Sequence, residues 1–425
     1  MAVVIICQTP AFVIPPPERD LKAKRPSCYN TRQMKACFET FGCRLNKAEA
    51  LQMEADYLAG GWELTSCREE ADLFVVRGCS VTAKAQADCE KFIAHLRRTY
   101  PNATLHVCGC LPNLPKKPTL PKNAGIPTRT ARAYLKVQDG CSGRCTFCIV
   151  PQFRGPSRSV PFTDVLDRAR RFLDAGYHEL VVTGCNLALY ASEGKRLPDL
   201  LAALAELSGT PSSGQATPSE FRMRLGSLEP GAGAQAVVAV MSEHANICRF
   251  LHLPIQSGSD RILAAMNRPY RADDIAALVR DATRLMPGVG LGCDLMTGFP
   301  GESDADFAKT KSLLEALPFS NAHVFPYSER PGTPAAGLAG VVPAKVRNER
   351  AAELSALANI KRNAYARSFV GKTVDVVVES HEKTEGWTDE YLRCEAEGSA
   401  TRKTLVRVLV TKADGDRLRG VLSDR

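Results

Sequence analysis

Three cysteines stand within eight residues, Cys141-Ser-Gly-Arg-Cys145-Thr-Phe-Cys148, a C-x3-C-x2-C run. In a reducing compartment, thiolates this close can hold an iron–sulfur cluster. A zinc knuckle or chance clustering is the competing reading, but no further Cys or His lies close by to complete a zinc tetrahedron. Three ligands on a four-iron cluster leave one iron open, and an open position is where a substrate or cofactor enters. Phe147, between two of the cysteines, can shield such a cluster. A second set is spread along the chain. Cys43, Cys79 and Cys110 each follow a glycine at the end of an apolar stretch. Cys108 competes with Cys110, but only Cys110 repeats the Gly-Cys position. Cys7, Cys28, Cys37, Cys67, Cys89, Cys185, Cys248, Cys293 and Cys394 read as buried or surface thiols, since free Cys behaves as a small hydrophobe.

The elements that must position these residues are legible as periodic runs. Extended stretches at Met34–Thr40, Ala71–Val76 and Thr104–Val107 alternate with helices expected over about 47–59 and 83–99. The first helix stops at Gly60-Gly61 and the second before Pro101. This βαβαβ order implies a parallel sheet, whose strands all end on one edge. Cys43, Cys79 and Cys110 should therefore converge where open α/β sheets bind ligands. Six further apolar strands are expected near 134–137, 179–183, 222–226, 249–253, 290–296 and 321–325, separated by helical stretches. Six βα units in this length imply a partial or full βα barrel, with Cys141–Cys148 at its catalytic edge. Thr183 and Asn186 follow the second barrel strand, Glu229 the third and Gln256 the fourth. All four stand at that same edge. A helix from Pro343 to about Phe369 and a β-rich tail complete the chain.

Composition bounds the rest. With 425 residues, 44% hydrophobic, 24% charged and 7% aromatic, the chain is an ordinary globular protein of several domains. No apolar run approaches the ~20 residues that cross a bilayer. The net charge of +9 is compatible with a polyanionic partner without identifying one. The apolar start lacks a basic stretch before it and is broken by prolines, unlike an export signal. A cytoplasmic location, and metal rather than disulfides for the 16 cysteines, follow as expectations.

Longer motifs carry a resemblance. "QDGCSGRCTFCIVPQFRGPSRS", "LHLPIQSGSDRILAAMNRPY", "GFPGES", "FPYSERPGTPAA" and "ETFGCRLNKAEA" resemble the radical S-adenosylmethionine methylthiotransferases over roughly residues 34–425. The resemblance implies two 4Fe–4S clusters, one on Cys43, Cys79 and Cys110 and one on Cys141, Cys145 and Cys148. It implies S-adenosylmethionine as cofactor, with Phe147, Thr183, Asn186, Glu229 and Gln256 as its contacts. It also implies a tRNA anticodon stem-loop as substrate, an electron donor such as flavodoxin or ferredoxin, and a monomer. "GCRLN" and "GWTDEYL" resemble the MtaB branch, which converts N6-threonylcarbamoyladenosine at tRNA position 37 to its 2-methylthio derivative. The branches acting on isopentenyladenosine and on a ribosomal-protein aspartate are the alternatives. Two departures are visible: Arg77-Gly78 where the family usually has Asn-Thr, and Val160 in place of an arginine.

The implied organisation is an extension without structure (1–33), an N-terminal cluster domain (34–115), a basic proline-rich linker (116–130), a radical barrel (131–365) and a TRAM-like RNA-binding tail (366–425). The tail from Gly371 holds 10 basic and 11 acidic residues, so it is no electrostatic funnel. The positive surplus lies in the linker and in the helix after Pro343. A two-cluster electron carrier would complete four cysteines per cluster and need no barrel. A non-catalytic RNA-binding protein would want a strongly basic tail.

Overall fold

The chain folds into two units. The computed structural model describes residues 4–6, 33–112, 126, 129–207 and 221–423. Most of the basic linker, Cys7 and Cys28 lie outside these described residues. One unit comprises residues 1–129 and 149–156, the other 130–148 and 157–425.

The first unit is a parallel sheet in the order β1 (Val4–Ile6), β5 (Thr104–Gly109), β4 (Leu73–Gly78), β2 (Lys35–Thr40) and β3 (Glu63–Leu64). Strand β4 is buried along its whole length, as a central parallel strand covered on both faces must be. Helix α1 (Arg44–Ala59) starts directly after Cys43, three residues earlier than its apolar pattern suggests. Helix α2 (Ala83–Thr99) is capped by Thr82, whose side chain accepts from Ala85 N–H at 3.1 Å, and buries Cys89, Ile93 and Leu96 at helical spacing. Two expectations are corrected. Residues 4–6 are not outside the fold, because they pair in register with Leu105–Val107. The segment 149–156, including the short helix α3 (Val150–Arg154), packs with this unit rather than with the barrel that surrounds it in sequence.

The second unit contains six parallel strands: β6 (Ala133–Lys136), β9 (Glu179–Thr183), β12 (Arg222–Leu225), β13 (Phe250–Gln256), β14 (Gly290–Thr297) and β15 (Asn321–Pro326). They form two three-stranded ladders, joined among the described residues by the isolated bridges Met223↔Ile247 and Ser227↔His252. Helices α4 (Phe162–Asp174), α5 (Leu197–Ala205), α6 (Ala234–Glu243), α7 (Asp260–Ala265), α8 (Ala272–Leu285) and α9 (Asp304–Ala316) lie between the strands in sequence, giving an open six-unit barrel. The antiparallel pair β7 (Gln138–Asp139) with β8 (Arg158–Ser159) and the small hairpin β10 (Ala191–Ser192) with β11 (Lys195–Arg196) decorate it. Helix α10 (Ala344–Arg367) packs on β15 and leads into a closed barrel of β16 (Thr373–Val378), β17 (Thr384–Thr388), β18 (Arg393–Glu397), β20 (Arg417–Leu422) and β19 (Leu405–Asp414). Among the described residues, no helix is long and apolar enough to cross a membrane.

The turn between β17 and β18 closes the N-terminal end of the larger barrel. Arg222 and Arg224 of β12 donate to the carbonyls of Trp387, Thr388 and Asp389 at 2.6, 2.8 and 2.9 Å. Both also grip Glu179, the fully buried first residue of β9. Tyr391 stacks between Trp387 and Phe250, at ring-centre distances of 4.3 and 4.7 Å. Burial alone would raise the Glu179 carboxyl. The guanidiniums of Arg224, Arg222 and Arg132 outweigh it and hold the group well below the usual carboxylate range. "GWTDEYL" is therefore a barrel plug, a structural role its use as a branch signature did not anticipate.

Candidate functional site

In the first unit, the ends of β2, β4 and β5 bring three cysteine loops together. Cys43 caps α1 and is exposed, whereas Cys79 and Cys110 are buried. Cys110 N–H donates to Gly78 O at 3.1 Å, tying the third loop to the second. Gly42, at φ +96°, admits Cys79, because a Cβ there would lie 2.7 Å from its sulfur. Asn46, one turn into α1 and 1% exposed, donates to Phe41 O and Gly78 O, both at 2.8 Å. It thereby locks the first cysteine loop to the second.

Charge surrounds this convergence. Arg154 donates through Nε to Cys110 Sγ at 3.0 Å, through Nη1 to Glu49 at 3.0 Å and through Nη2 to Asn46 Oδ1 at 2.7 Å. Arg77, the departure noted above, is bonded to the same Glu49. Burial pushes the Cys110 thiol up, and Arg154 pulls against that shift. The rival Cys108 stands in the apolar cluster of Ala36, Tyr57, Trp62, Leu73 and Val75.

In the second unit, Cys141, Cys145 and Cys148 form one loop past β7. Gly143 N–H donates to Cys141 Sγ at 3.3 Å. Arg268 Nη1 donates to Cys145 Sγ at 3.0 Å, and Nη2 is bonded to Glu229. The "MNRPY" stretch is thus the cradle of the cysteine loop. Asn267 donates to Arg144 O at 2.8 Å, and Thr146 N–H donates to Met266 O at 3.0 Å. Thr146 O in turn accepts from Ala335 N–H, at 2.8 Å, in the "GTPAA" stretch.

The expected cofactor contacts fall at the C-terminal ends of the strands, with unequal freedom. Glu229 is committed to Arg268; burial raises its carboxyl while Arg268 pulls it down. Thr183 is buried at the end of β9, where its carbonyl accepts from Val137 N–H. Phe147 packs, partly buried, against Ile262, Met266, Met296 and Phe299. Asn186 and Gln256 differ from these, because Asn186 Oδ1 and Gln256 Oε1 are buried acceptors that meet no donor among the described residues. Gln256 also sits at φ +65°, uncommon for a residue with a side chain, where the ladder between β13 and β14 shifts register. An unmet buried acceptor costs about 1–3 kcal/mol. Two of them, beside a loop with three thiols, fit a ligand carrying hydroxyl or ammonium donors. Arg154, Arg268 and Asn46 went unassigned in the sequence. Each sits inside a quoted motif, but an arginine's reach to a sulfur has no spacing signature.

Known proteins resemble the chain in the same places. Residues 135–314 match the family described as the Radical SAM superfamily, and residues 35–126 the Uncharacterized protein family UPF0004. A tRNA-2-methylthio-N(6)-dimethylallyladenosine synthase of Novosphingobium aromaticivorans is 32% identical over 82% of this chain and 87% of its own. The Threonylcarbamoyladenosine tRNA methylthiotransferase MtaB of Bacillus subtilis is 29% identical over 88% of this chain and 93% of its own. Among solved structures, the radical S-adenosylmethionine methyltransferase TsrM of Kitasatospora setae has a TM-score of 0.51 at 13% identity, covering 72% of this chain and 77% of its own. That last likeness speaks to the fold alone.

Proposed function

We propose that this chain, which belongs to the radical S-adenosylmethionine methylthiotransferase family, converts N6-threonylcarbamoyladenosine at tRNA position 37 to its 2-methylthio derivative. The family acts with S-adenosylmethionine and two 4Fe–4S clusters, and tRNA methylthiolation is its shared chemistry here. The observation that carries the reading is the pair of three-cysteine sites, each with an arginine donating to one sulfur. In this reading Cys141, Cys145 and Cys148 hold one cluster, and Cys43, Cys79 and Cys110 the other. Cys110 is the third ligand because its sulfur stands in the loop with Arg154, away from the apolar cluster that takes Cys108.

A cluster on Cys141, Cys145 and Cys148 with S-adenosylmethionine would supply one-electron chemistry, which an aromatic C–H with no acidic proton requires. The chain's residues bind, orient and shield. Asn186 and Gln256 accept from the cofactor's hydroxyl or ammonium groups. Gly143 N–H and Arg268 hold two sulfurs in place, Glu229 fixes Arg268, and Phe147 excludes water. Thr183 contributes backbone position at the same edge.

The choice of threonylcarbamoyladenosine rests on "GCRLN" and "GWTDEYL", and on relatives named for that nucleoside. Relatives named for dimethylallyladenosine, at 32% identity, favour the second reading. A cytoplasmic monomer served by flavodoxin or ferredoxin completes the proposal. The test is anaerobic turnover with two stem-loops, one bearing threonylcarbamoyladenosine and one bearing isopentenyladenosine. Methylthiolation of the first alone supports the reading; methylthiolation of the second alone replaces it. Iron analysis of the same preparation should give about eight irons per chain, and alanine at Cys141, Cys145 and Cys148 should remove about half.

A further inference from the structure

Three side chains that no step above uses stand together on the inner sheet of the barrel. His252, Asp294 and His323 lie on the neighbouring parallel strands β13, β14 and β15. Asp294 and His323 are direct partners in the ladder, and His252 pairs with Gly292, two residues before Asp294. Side chains alternate along a strand, so all three leave the same face. Asp294 Oδ1 is 3.0 Å from His252 Nε2 and 3.2 Å from His323 Nδ1, and the three donor atoms all lie within 4.8 Å of one another. Gly292 makes the room, since a Cβ there would sit 2.6 Å from His252 Nδ1. Toward the plug the same face carries Phe250. Toward the cysteine loop it carries Met296 and Phe325, which cluster with Phe147.

We propose that His252, Asp294 and His323 form a site for a divalent transition metal, with zinc the best fit, separate from both cysteine sets. The donor set is two imidazoles and one carboxylate. This is the composition of zinc sites that keep a fourth position for water or another oxygen ligand. Bond lengths of about 2.0–2.1 Å place the donors of a tetrahedral zinc about 3.3 Å apart, close to the two distances found here. The remaining edge, between the two imidazoles, lies within 4.8 Å and has to reach the same ~3.3 Å on binding. The hydrogen bonds that now join the imidazoles to Asp294 are exchanged for metal bonds, with release of any proton held between them. His252 is buried and packed on Phe250, and so is pre-oriented. The His323 side chain is 58% exposed, which gives an ion a way in. The amide of Asn321, 3.4 Å from His323 Nε2, is placed to orient that ring once turned to accept from it.

The test uses the full chain with its iron clusters assembled anaerobically, so that the cysteines are occupied, dialysed against micromolar zinc. About one zinc per chain is expected, with a nitrogen–oxygen shell near 2.0–2.1 Å by X-ray absorption and no sulfur near 2.3 Å. His323→Ala, at an exposed position, and Asp294→Asn, of unchanged shape, should each weaken zinc binding at least ~100-fold while iron content and melting temperature stay put. Failure of the unaltered chain to retain zinc overturns the proposal. So does sulfur in the zinc shell, or zinc binding that is undiminished in both variants.

Discussion

The two ends of the six-stranded barrel solve opposite problems. At the N-terminal end, Glu179, Arg222 and Arg224 are buried with nearly every polar atom matched, to one another, to the Asp375 carbonyl or to the carbonyls of the 387–389 turn. At the C-terminal end, Asn186 and Gln256 bury acceptors with no donor among the described residues, Gln256 adopts a backbone conformation unfavourable to side chains, and three thiols share one loop. Matched buried charge at one end resists opening. Unmatched polarity at the other is tolerable only where a ligand supplies the missing partner. The first unit repeats the second pattern with one addition. Its sulfur-facing Arg154 shares Glu49 with Arg77, whereas Glu229 faces Arg268 and the Tyr270 hydroxyl, with no second arginine among the described residues.

If the ends differ in this way, substitutions should separate chemistry from stability. The largest effect belongs to Cys145→Ala, which should abolish 5′-deoxyadenosine formation with the melting temperature little changed. In the same assay Cys79→Ala should still cleave the cofactor yet make no methylthio product. A folded Cys79→Ala chain that forms methylthio nucleoside refutes the sulfur-carrying role of Cys43, Cys79 and Cys110.

Next comes Glu179→Gln, which leaves Arg222, Arg224 and Arg132 facing one another in a buried site. A loss of about 3–5 kcal/mol is expected in denaturant unfolding, because removing one partner strands the others. Cofactor binding by the surviving folded fraction should be unchanged. The Glu179 carboxyl is depressed in the fold, so its contribution is fully present above its ordinary range near pH ~4.3. It is lost as pH falls below that range toward the depressed native value, and Glu179→Gln should flatten the acid limb of the stability profile.

The two arginine–sulfur contacts should respond unequally. Arg268→Gln leaves the Glu229 carboxylate with the Tyr270 hydroxyl but no cation, and is expected to cost about 3 kcal/mol or more. Arg154→Gln leaves Glu49 paired with Arg77 and should cost about 1–3 kcal/mol, the value of charged hydrogen bonds. Equal losses would mean that the second arginine at Glu49 has no buffering role.

The smallest stability effects belong to Asn186→Ala and Gln256→Ala. Each deletes an acceptor that the fold leaves unmet, so unfolding free energy should change by less than about 1 kcal/mol or improve slightly. Affinity for S-adenosylmethionine should drop about tenfold per substitution, by equilibrium dialysis with the clusters in place. Unchanged affinity in both would detach these acceptors from the cofactor.

Much of this is legible in the amino-acid sequence. Strand and helix identity followed from apolar period, and helix ends from Gly60 and the prolines. The convergence of Cys43, Cys79 and Cys110 followed from the rule that parallel strands end on one edge. The loop Cys141–Cys148 is a local motif, and eight residues cannot separate far. These properties are set by near neighbours in the chain, through backbone sterics and alternation.

What only the tertiary structure decided involves long, flexible side chains or backbone meeting from distant points. Arg154 reaches Cys110 across 44 positions, Arg268 reaches Cys145 across 123, and Arg222 reaches the 387 carbonyl across 165. The packing of 149–156 with the first unit, the 387–391 plug and the His252–Asp294–His323 group are of the same kind. An arginine can place its charge in many directions from one backbone position, so its partner is chosen by what the fold brings within reach and desolvates, and no periodicity in the sequence encodes that choice.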